Sequence, residues 1–201
     1  MGFQLIIFDL GGVLVKVEPQ RMLRALARES GQPVEEIQRV LADPKLIESF
    51  ELGRISPTQF FAALNTRVRI SWTFDQFVSA WNSILSEDPR TSWLLERLHA
   101  RYALLVLTNT NALHDDHIRH SWPVFRHADH WIASHRVGLR KPDAQIYRLA
   151  LHQADVSPEA TVYIDDMAEY VTAARRLGVR AIHMADGICL EDELRAAGLS
   201  F

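Results

Sequence analysis

The sequence has one cysteine among its 201 residues, Cys189, and its charges nearly balance at a formal net charge of −3. A single cysteine excludes an internal disulfide and a metal site built from several thiolates, and a chain without disulfides suits a reducing cytoplasm. The near balance of charge gives no reason to expect binding to nucleic acid or to an anionic membrane. Any anionic ligand would therefore have to be held by local groups.

Long apolar runs are also lacking, since no stretch is long enough to span a bilayer. The residues after Met1 have neither the basic start nor the apolar segment of a signal peptide, so we predict a cytoplasmic location. Hydrophobic residues make up 48% of the chain and charged residues 23%, which is ordinary for a globular protein. The length allows one full core, or one core with a smaller inserted lobe.

The most informative stretch is residues 3–15, FQLIIFDLGGVLV. Its apolar run LIIF predicts a buried parallel strand, and Asp9 follows the run directly. Ligands of open α/β sheets bind beyond the carboxyl ends of the strands, where loops and helix N-termini meet. Gly11 and Gly12 would let the backbone approach such a ligand closely. Asp9 is therefore a candidate for chemistry, although it could also simply cap the turn after the strand.

Helical patterns then fill residues 16–87. Four amphipathic helices are predicted, which begin at Pro19, near Val34, at Ser56 and after the capping box that starts at Thr73. We expect no strand among these helices. The profile is that of a small helical bundle inserted after the first strand.

From Asp88 onward strands and helices alternate, which predicts a parallel sheet with right-handed crossovers. The fold class is therefore expected to be α/β, with a Rossmann-like parallel sheet core and an inserted α-helical domain. The core is assigned to residues 1–15 and 88–201, and the helical domain to residues 16–87. The later strands are expected at residues 103–108, 131–133, 161–165 and 180–184.

Three more polar stretches are predicted at the same edge of the sheet as Asp9. Thr108-Asn109 ends the second strand, Lys141 follows a loop that contains a glycine, and Asp165-Asp166 ends the fourth strand. A lysine before a proline is usually a solvated turn, and a threonine at a strand end is usually only a satisfied hydroxyl. The two adjacent acids are more informative, because neighbouring carboxylates repel each other unless a cation or solvent separates them.

A carboxylate, a hydroxyl, a lysine and an acidic pair at successive strand ends resemble the four motifs of the haloacid dehalogenase superfamily of phosphohydrolases. The resemblance covers the whole chain and identifies the helical domain as that superfamily's cap. Residues 50–56, FELGRIS, and 108–111, TNTN, add to it. With these segments and its FDLGGVL opening, the sequence resembles the subgroup with FDLGGVL or FDLGNVI openings, which includes an α-glucose-1-phosphate phosphatase.

The resemblance implies a Mg²⁺-dependent phosphatase that forms an aspartyl-phosphate and then hydrolyses it. A cation is needed because a carboxylate must approach a phosphate dianion. The resemblance implies that Asp9 is the nucleophile and a metal ligand, that the Gly11 carbonyl and Asp166 are further metal ligands, and that Asp165 binds the metal or orients its waters. It also implies that Thr108 and the Asn109 backbone bind the phosphoryl group. Lys141 would pair with the phosphoryl group and with Asp9.

Gly11 stands where most phosphatases of the superfamily carry a second aspartate, which protonates the leaving oxygen. Its absence favours leaving groups that need little protonation, such as the anomeric oxygen of a sugar 1-phosphate or an acyl phosphate, and the predicted substrate is a small sugar phosphate such as a hexose 1-phosphate. The cap sets substrate identity in this superfamily, which makes Glu51, Arg54, Trp81 and Asn82 candidates to touch the leaving group. Trp81 could equally belong to the core, and Arg54 to a solvated turn.

The histidine-rich run from His114 to His120 has the spacing of a helical face, but nothing in it specifies a third or fourth ligand. An ordinary helix face is therefore favoured over a metal site. His114 is also a possible replacement for the missing acid, and so is Glu51.

Two other functions remain open. A 2-haloacid dehalogenase also uses an aspartate nucleophile and lacks the second aspartate, but it needs no metal, so Asp165-Asp166 argues against it. A catalytically weak binding or regulatory protein would treat Gly11 as a mark of lost activity. The expected partner is a small phosphorylated metabolite, and the expected assembly is a monomer or homodimer.

Overall fold

The structure is a computed structural model that describes residues 2–185 and 187–201. In this part of the chain the strands are β1 (Leu5–Phe8), β2 (Val15–Val17), β3 (Leu85–Glu87), β4 (Ala103–Thr108), β5 (His130–Ala133), β6 (Thr161–Asp165) and β7 (Arg180–His183). The helices are α1 (Pro19–Ser30), α2 (Val34–Leu41), α3 (Pro44–Glu51), α4 (Pro57–Val68), α5 (Phe74–Asn82), α6 (Pro89–His99), α7 (Ala112–Ser121), α8 (Ser134–Val137), α9 (Ala144–Ala154), α10 (Ala168–Arg175) and α11 (Leu190–Ala196). None of these helices has the length and apolarity to cross a membrane.

Five parallel strands form the central sheet in the order β5-β4-β1-β6-β7. Side chains of a strand alternate between the two faces of a sheet. Ile6 and Phe8 accordingly enter one buried cluster, while Leu5 and Ile7 enter the other. Helices cover both faces, and the α/β prediction is confirmed. Because β1 lies between β4 and β6, the residue that follows it is placed between the ends of both neighbours.

The predicted cap, residues 16–87, differs from the expectation in its helix count. It contains five helices, because α3 (Pro44–Glu51) forms where no helix was predicted. The Asp43 side chain accepts a hydrogen bond from Lys45 N and caps the helix. Only Leu46 and Phe50 of α3 are buried, and this is too few apolar positions for a periodic stripe.

The expectation that this region contains no strand was also wrong. Strand β3 lies inside residues 16–87 and pairs antiparallel with β2. The two strands form a ribbon at the points where the chain enters and leaves the predicted cap. Each strand has three residues, which is too short for a period-two pattern to be visible. Helices α1 to α5 share one buried cluster, which includes Leu26, Phe60 and Phe77.

Candidate active site

Three carboxylates meet at the carboxyl ends of β1 and β6. One oxygen each of Asp9, Asp165 and Asp166 lies within 4.8 Å of the others. Asp165 is fully buried, Asp9 is 7% exposed and Asp166 is half-buried. Burial raises the pKa of Asp9 to about 6, with Lys141 opposing the shift and Asp165 adding to it. Burial and the charge of Asp165 also raise the pKa of Asp166. The cluster is therefore a strong attractor for cations.

Lys141 supplies the positive charge at the centre of this cluster. Its Nζ lies 2.8 Å from Asp9 Oδ1 and 2.6 Å from Asp165 Oδ2, and the side chain is 1% exposed. Burial opposes the charge of Lys141, but the two carboxylates outweigh burial and raise its pKa above the usual value. Lys141 is therefore a fixed ammonium group at neutral pH. The structure thus brings together the lysine and both strand-end acids named from the sequence.

Asn109 holds the loop that carries this lysine. Its Nδ2 donates to Lys141 O at 2.9 Å, and Lys141 N donates to its Oδ1 at 2.8 Å. The sequence assigned only the Asn109 backbone to phosphoryl binding, so this positioning by the side chain was missed. Thr108 is the last residue of β4 and is 3% exposed. Its place at the strand end agrees with the position expected of a phosphoryl-binding hydroxyl.

Both oxygens of Asp165 already have hydrogen-bond donors. Oδ2 accepts from the Tyr163 hydroxyl as well as from Lys141, and Oδ1 accepts from Met167 N at 2.7 Å. Tyr163 was not found from the sequence, because an inward-facing tyrosine in an apolar strand carries no signal beyond core packing. These bonds fix the orientation of the Asp165 carboxylate, and through it the lysine.

The two glycines after Asp9 differ in what they allow. Gly12 has a φ of 76°, and a Cβ there would lie 2.5 Å from Asp166 Oδ2, so a side chain would collide with that carboxylate. A Cβ at Gly11 would instead lie 3.1 Å from Val17 Cγ2. Val17 is 38% exposed and can shift by a few tenths of an ångström. Space therefore requires glycine at position 12 but does not require it at position 11.

Glu51 connects the cap to the lysine loop. Its Oε2 lies 3.0 Å from Nη2 of Arg140, the residue before Lys141, as an ion pair without hydrogen-bond geometry. Burial raises the pKa of Glu51, although Arg140 opposes the shift. Arg140 was missed by the sequence analysis, where it appeared only as part of a loop. A charged residue beside a candidate catalytic lysine could have indicated it.

Ser134, also missed, joins the cap to the loop after β4. Its Oγ donates to Glu51 O at 2.6 Å and accepts from Thr110 N at 2.9 Å, and the residue is fully buried. Gly53 lies against the same segment, where a Cβ would come within 2.2 Å of His135 O. At this point, therefore, one hydroxyl and one missing side chain allow the end of α3 to lie close to the core.

Trp81 and His114 form a second contact between cap and core. Trp81 Nε1 donates to Asn111 Oδ1 at 3.4 Å, His114 Nε2 lies 3.1 Å from Trp81 O, and the two rings stack. Trp81 also belongs to the buried cluster of the cap, as its alternative interpretation predicted. Burial lowers the pKa of His114 to about 4, so the ring is neutral at pH 7. A neutral ring whose Nε2 faces a carbonyl is poorly placed to replace the missing acid.

Other residues named from the sequence make their described contacts outside the carboxylate cluster. Arg54 has a 63% exposed side chain, and its ion pair among the described residues is with Glu48 at 3.9 Å. Asn82 lines a separate groove next to α5, together with Asp75 and His117. From the histidine-rich run, Asp115 is fully buried and binds Trp131, His135 and Arg136. This part of the run therefore stabilises the core through the contacts of the buried Asp115 carboxylate.

The burial of His114 predicts a pH effect on stability. Its pKa in the folded protein lies below the unfolded value of 6.5, so the unfolded chain binds the proton first as pH falls. Lowering the pH from about 7.5 to about 5 should therefore reduce the free energy of unfolding by about 2 kcal/mol. Urea denaturation at both pH values should show the wild type losing that much more stability than His114→Gln. Equal losses in the two proteins would show that His114 is not buried as a neutral ring.

Comparison with known proteins adds four findings to this geometry. The sequence model of a hydrolase family described as haloacid dehalogenase-like hydrolase matches residues 3–178. A sesquiterpene phosphatase of Aspergillus oryzae is 30% identical over 96% of this chain and 95% of its own. A D-ribitol-5-phosphate phosphatase of Bacteroides thetaiotaomicron is 22% identical over 94% of this chain and 95% of its own. A crystal structure of a family enzyme from the same bacterium, in complex with magnesium and inorganic phosphate, superimposes with a TM-score of 0.88 at 23% identity, over 96% of this chain and all of that one.

Proposed function

The chain belongs to the haloacid dehalogenase-like hydrolase family, and on that premise we propose that it is a Mg²⁺-dependent phosphatase acting on a small phosphate monoester. The observation that carries the proposal is the position of Lys141 Nζ, 2.8 Å from Asp9 and 2.6 Å from Asp165, with Asp166 in the same cluster. Three carboxylates and one ammonium group leave two negative charges. That is the charge a divalent cation neutralises before a phosphate dianion can approach.

The donor set suits Mg²⁺, a hard cation that prefers oxygen ligands and keeps several waters. Asp9, Asp166 and the Gly11 carbonyl would hold it. Both oxygens of Asp165 already accept hydrogen bonds, so we assign Asp165 to orienting Lys141 and the metal's waters. When bound, the cation supplies charge neutralisation and polarises the phosphoryl oxygens.

The side chains of this protein would divide the reaction into two displacements. The Asp9 carboxylate attacks phosphorus, and the bond from phosphorus to the leaving oxygen breaks, which gives an aspartyl-phosphate. Water then attacks the same phosphorus, so that inorganic phosphate leaves and Asp9 is restored. Lys141 stabilises the charge on the phosphoryl oxygens, with Thr108 donating its hydroxyl to them and Asn109 fixing the lysine loop.

The comparisons support the phosphatase class, since two curated relatives bear phosphatase names and one structural neighbour holds magnesium and phosphate. The hexose 1-phosphate expected from Gly11, and the subgroup that shares this substrate, remain predictions. So do the cytoplasmic location and the monomeric or homodimeric state. The acidic pair disfavours a metal-free dehalogenase, which would have no use for Asp166 beside its nucleophile.

A turnover panel tests the proposed function. Phosphate release from p-nitrophenyl phosphate, acetyl phosphate and glucose 1-phosphate should require Mg²⁺ and stop with EDTA. Chloride release from 2-chloropropionate should be absent. Chloride release without phosphate release would assign the dehalogenase activity instead, and no turnover of any substrate would favour the binding or regulatory protein.

The missing acid predicts how the rate depends on the leaving group. Without a proton donor the departing oxygen leaves as an anion, which is costly unless its alcohol is already acidic. We expect kcat/KM to be at least about a hundredfold higher for p-nitrophenyl phosphate than for ethyl phosphate, the lower end of what a general acid contributes. The measurement is kcat/KM over a series graded by leaving-group pKa at saturating Mg²⁺.

Gly11→Asp supplies the control for this series, because a side chain fits there after a small shift of Val17. It should raise the rate on ethyl phosphate and flatten the series, whereas Gly11→Asn, which cannot donate a carboxyl proton, should not. A series that is already flat in the wild type would mean that another acid acts. Glu51→Gln would then test the half-buried Glu51 carboxyl, which pairs with Arg140 of the lysine loop.

A further inference from the structure

A groove of about 340 Å³ opens in the cap between α1, α2 and α3. Eight of the ten side chains that line it are apolar, and the other two, Gln20 and Gln38, carry no charge. Its volume lies in the range of small-molecule sites, about 300–1,000 Å³. The groove is therefore large enough for an organic group and offers that group mainly hydrocarbon contacts.

One wall of the groove leads to the lysine loop. Ile47 of α3 lines the groove, and Glu51 lies one turn further along the same helix face. The four residues from Ile47 to Glu51 advance the helix by about 6 Å. Glu51 pairs with Arg140, and Arg140 precedes Lys141. A molecule in the groove at Ile47 is thus about one helical turn from a residue that borders the lysine loop.

Two other residues that line the groove contact the loop after β4 and the ribbon next to the segment after Asp9. Trp81 lines the groove and donates to Asn111, three residues after Thr108. Ile84 also lines it, and its carbonyl accepts from Glu18 N at the end of the β2–β3 ribbon. Val17 of that ribbon lies against Gly11. Three sets of contacts therefore link the walls of the groove to segments that carry or flank the site residues.

We infer that this groove holds the leaving group of the substrate, and that this leaving group carries a hydrocarbon chain or an apolar ring in place of the hexose expected from Gly11. The inference rests on the proposed phosphatase function and narrows its substrate class. A hexose in the groove would place hydroxyls against apolar side chains, where they would lose hydrogen bonds to water and gain few partners. A hydrocarbon there is removed from water without that loss.

A series of para-alkylphenyl phosphates tests the inference at nearly constant leaving-group acidity. From 4-methylphenyl to 4-hexylphenyl phosphate, kcat/KM should rise by about 240-fold, about threefold for each of the five methylene groups buried. The gain should come from a lower KM with kcat little changed, because the alkyl chain is bound equally in the ground state and the transition state. A flat series with active 4-methylphenyl phosphate would overturn the inference and leave the phosphatase proposal standing.

Variants locate the effect. Leu41→Gln and Ile47→Gln place an amide in the groove and should each reduce the gain by about tenfold, while kcat/KM for acetyl phosphate stays unchanged. Val40→Gln is the matched control, because Val40 is also a partly buried residue of the cap cluster but does not line the groove. The control should keep the full gain. An equal loss in Val40→Gln would overturn the assignment to the groove.

Two further outcomes are decisive. If size-exclusion chromatography showed a wild-type dimer that Leu41→Gln dissociates, with a flat alkyl series, the groove would be an interface between copies and the inference would be wrong. If no phosphate ester were hydrolysed, the proposed function would fail. Calorimetric measurement of ligand binding would then test the groove by itself. 4-Hexylphenyl phosphate should then still bind more tightly than 4-methylphenyl phosphate, and equal affinities would overturn the inference.

Discussion

Replacing Asp9 with asparagine should lower kcat by roughly 10⁴-fold or more, the scale on which enzymes lose activity when a nucleophile is removed. An amide oxygen at the end of β1 keeps the shape of the side chain but cannot form an aspartyl-phosphate. The fold should survive, because Lys141 keeps Asp165 as a partner at 2.6 Å. Burial already raises the pKa of Asp9 to about 6, so a neutral group is tolerated at this position.

The measurement compares initial rates on p-nitrophenyl phosphate with circular dichroism and the thermal midpoint of the same samples. Asp116→Asn serves as the matched control, because Asp116 is an exposed carboxylate of α7 outside the cluster. It should retain full activity. Full activity in Asp9→Asn would remove Asp9 from the mechanism.

The second large effect concerns the metal. Asp166→Ala should weaken Mg²⁺ binding by at least about a hundredfold. Losing a residue that only hydrogen-bonds to a metal ligand can already reduce metal affinity by about that much. Asp166 is only half-buried, so its removal opens no large cavity in the core. Activity should fall with the loss of metal and recover in part at high Mg²⁺ concentration. Calorimetric titration with Mg²⁺, together with rates as a function of Mg²⁺ concentration, measures both quantities.

Asp166→Asn separates charge from ligand geometry, since it keeps one oxygen donor and removes the negative charge. Its Mg²⁺ affinity should lie between those of the wild type and Asp166→Ala. Wild-type activity that persists in EDTA would contradict the metal assignment and bring the metal-free dehalogenase interpretation forward.

The arrangement of the sheet could be predicted because its signals are local and repeated. The strands that became β4 and β6 are apolar runs with clear ends, and each ends in a polar pair, Thr108-Asn109 and Asp165-Asp166. Parallel strands bring their carboxyl ends to one edge, so linear order was enough to place Asp9 beside Asp165.

The contacts between cap and core could not be predicted, because they join residues far apart in the chain through single polar atoms. Ser134 Oγ reaches Glu51 O across 83 positions, and nothing near either residue marks the pair. The orientation of the Asn109 side chain toward Lys141 depends in the same way on a loop approaching from 32 positions away. The groove also escapes prediction, because its apolar residues come from separate helices whose stripes look like ordinary core.

Arg54 illustrates a further limit of the sequence pattern. Its place in the FELGRIS segment made it a candidate for the substrate site, but the turn after α3 directs it outward, where its side chain is 63% exposed. Glu51, three residues earlier and still on the helix, points to the lysine loop instead. Side chains that are close in sequence at the end of a helix can therefore point in different directions, and the sequence alone does not show which of them faces the site.

The covalent intermediate on Asp9 is the central claim, and it can be observed directly. The wild type should be mixed with p-nitrophenyl phosphate and Mg²⁺, quenched in acid during the first turnover, digested and mapped by mass spectrometry. We expect one phosphoryl group on the peptide that contains Asp9, which is absent when Mg²⁺ is omitted and absent in Asp9→Asn. A phosphoryl group on any other residue, or first-turnover phosphate release with no protein adduct at any quench time, would contradict the mechanism.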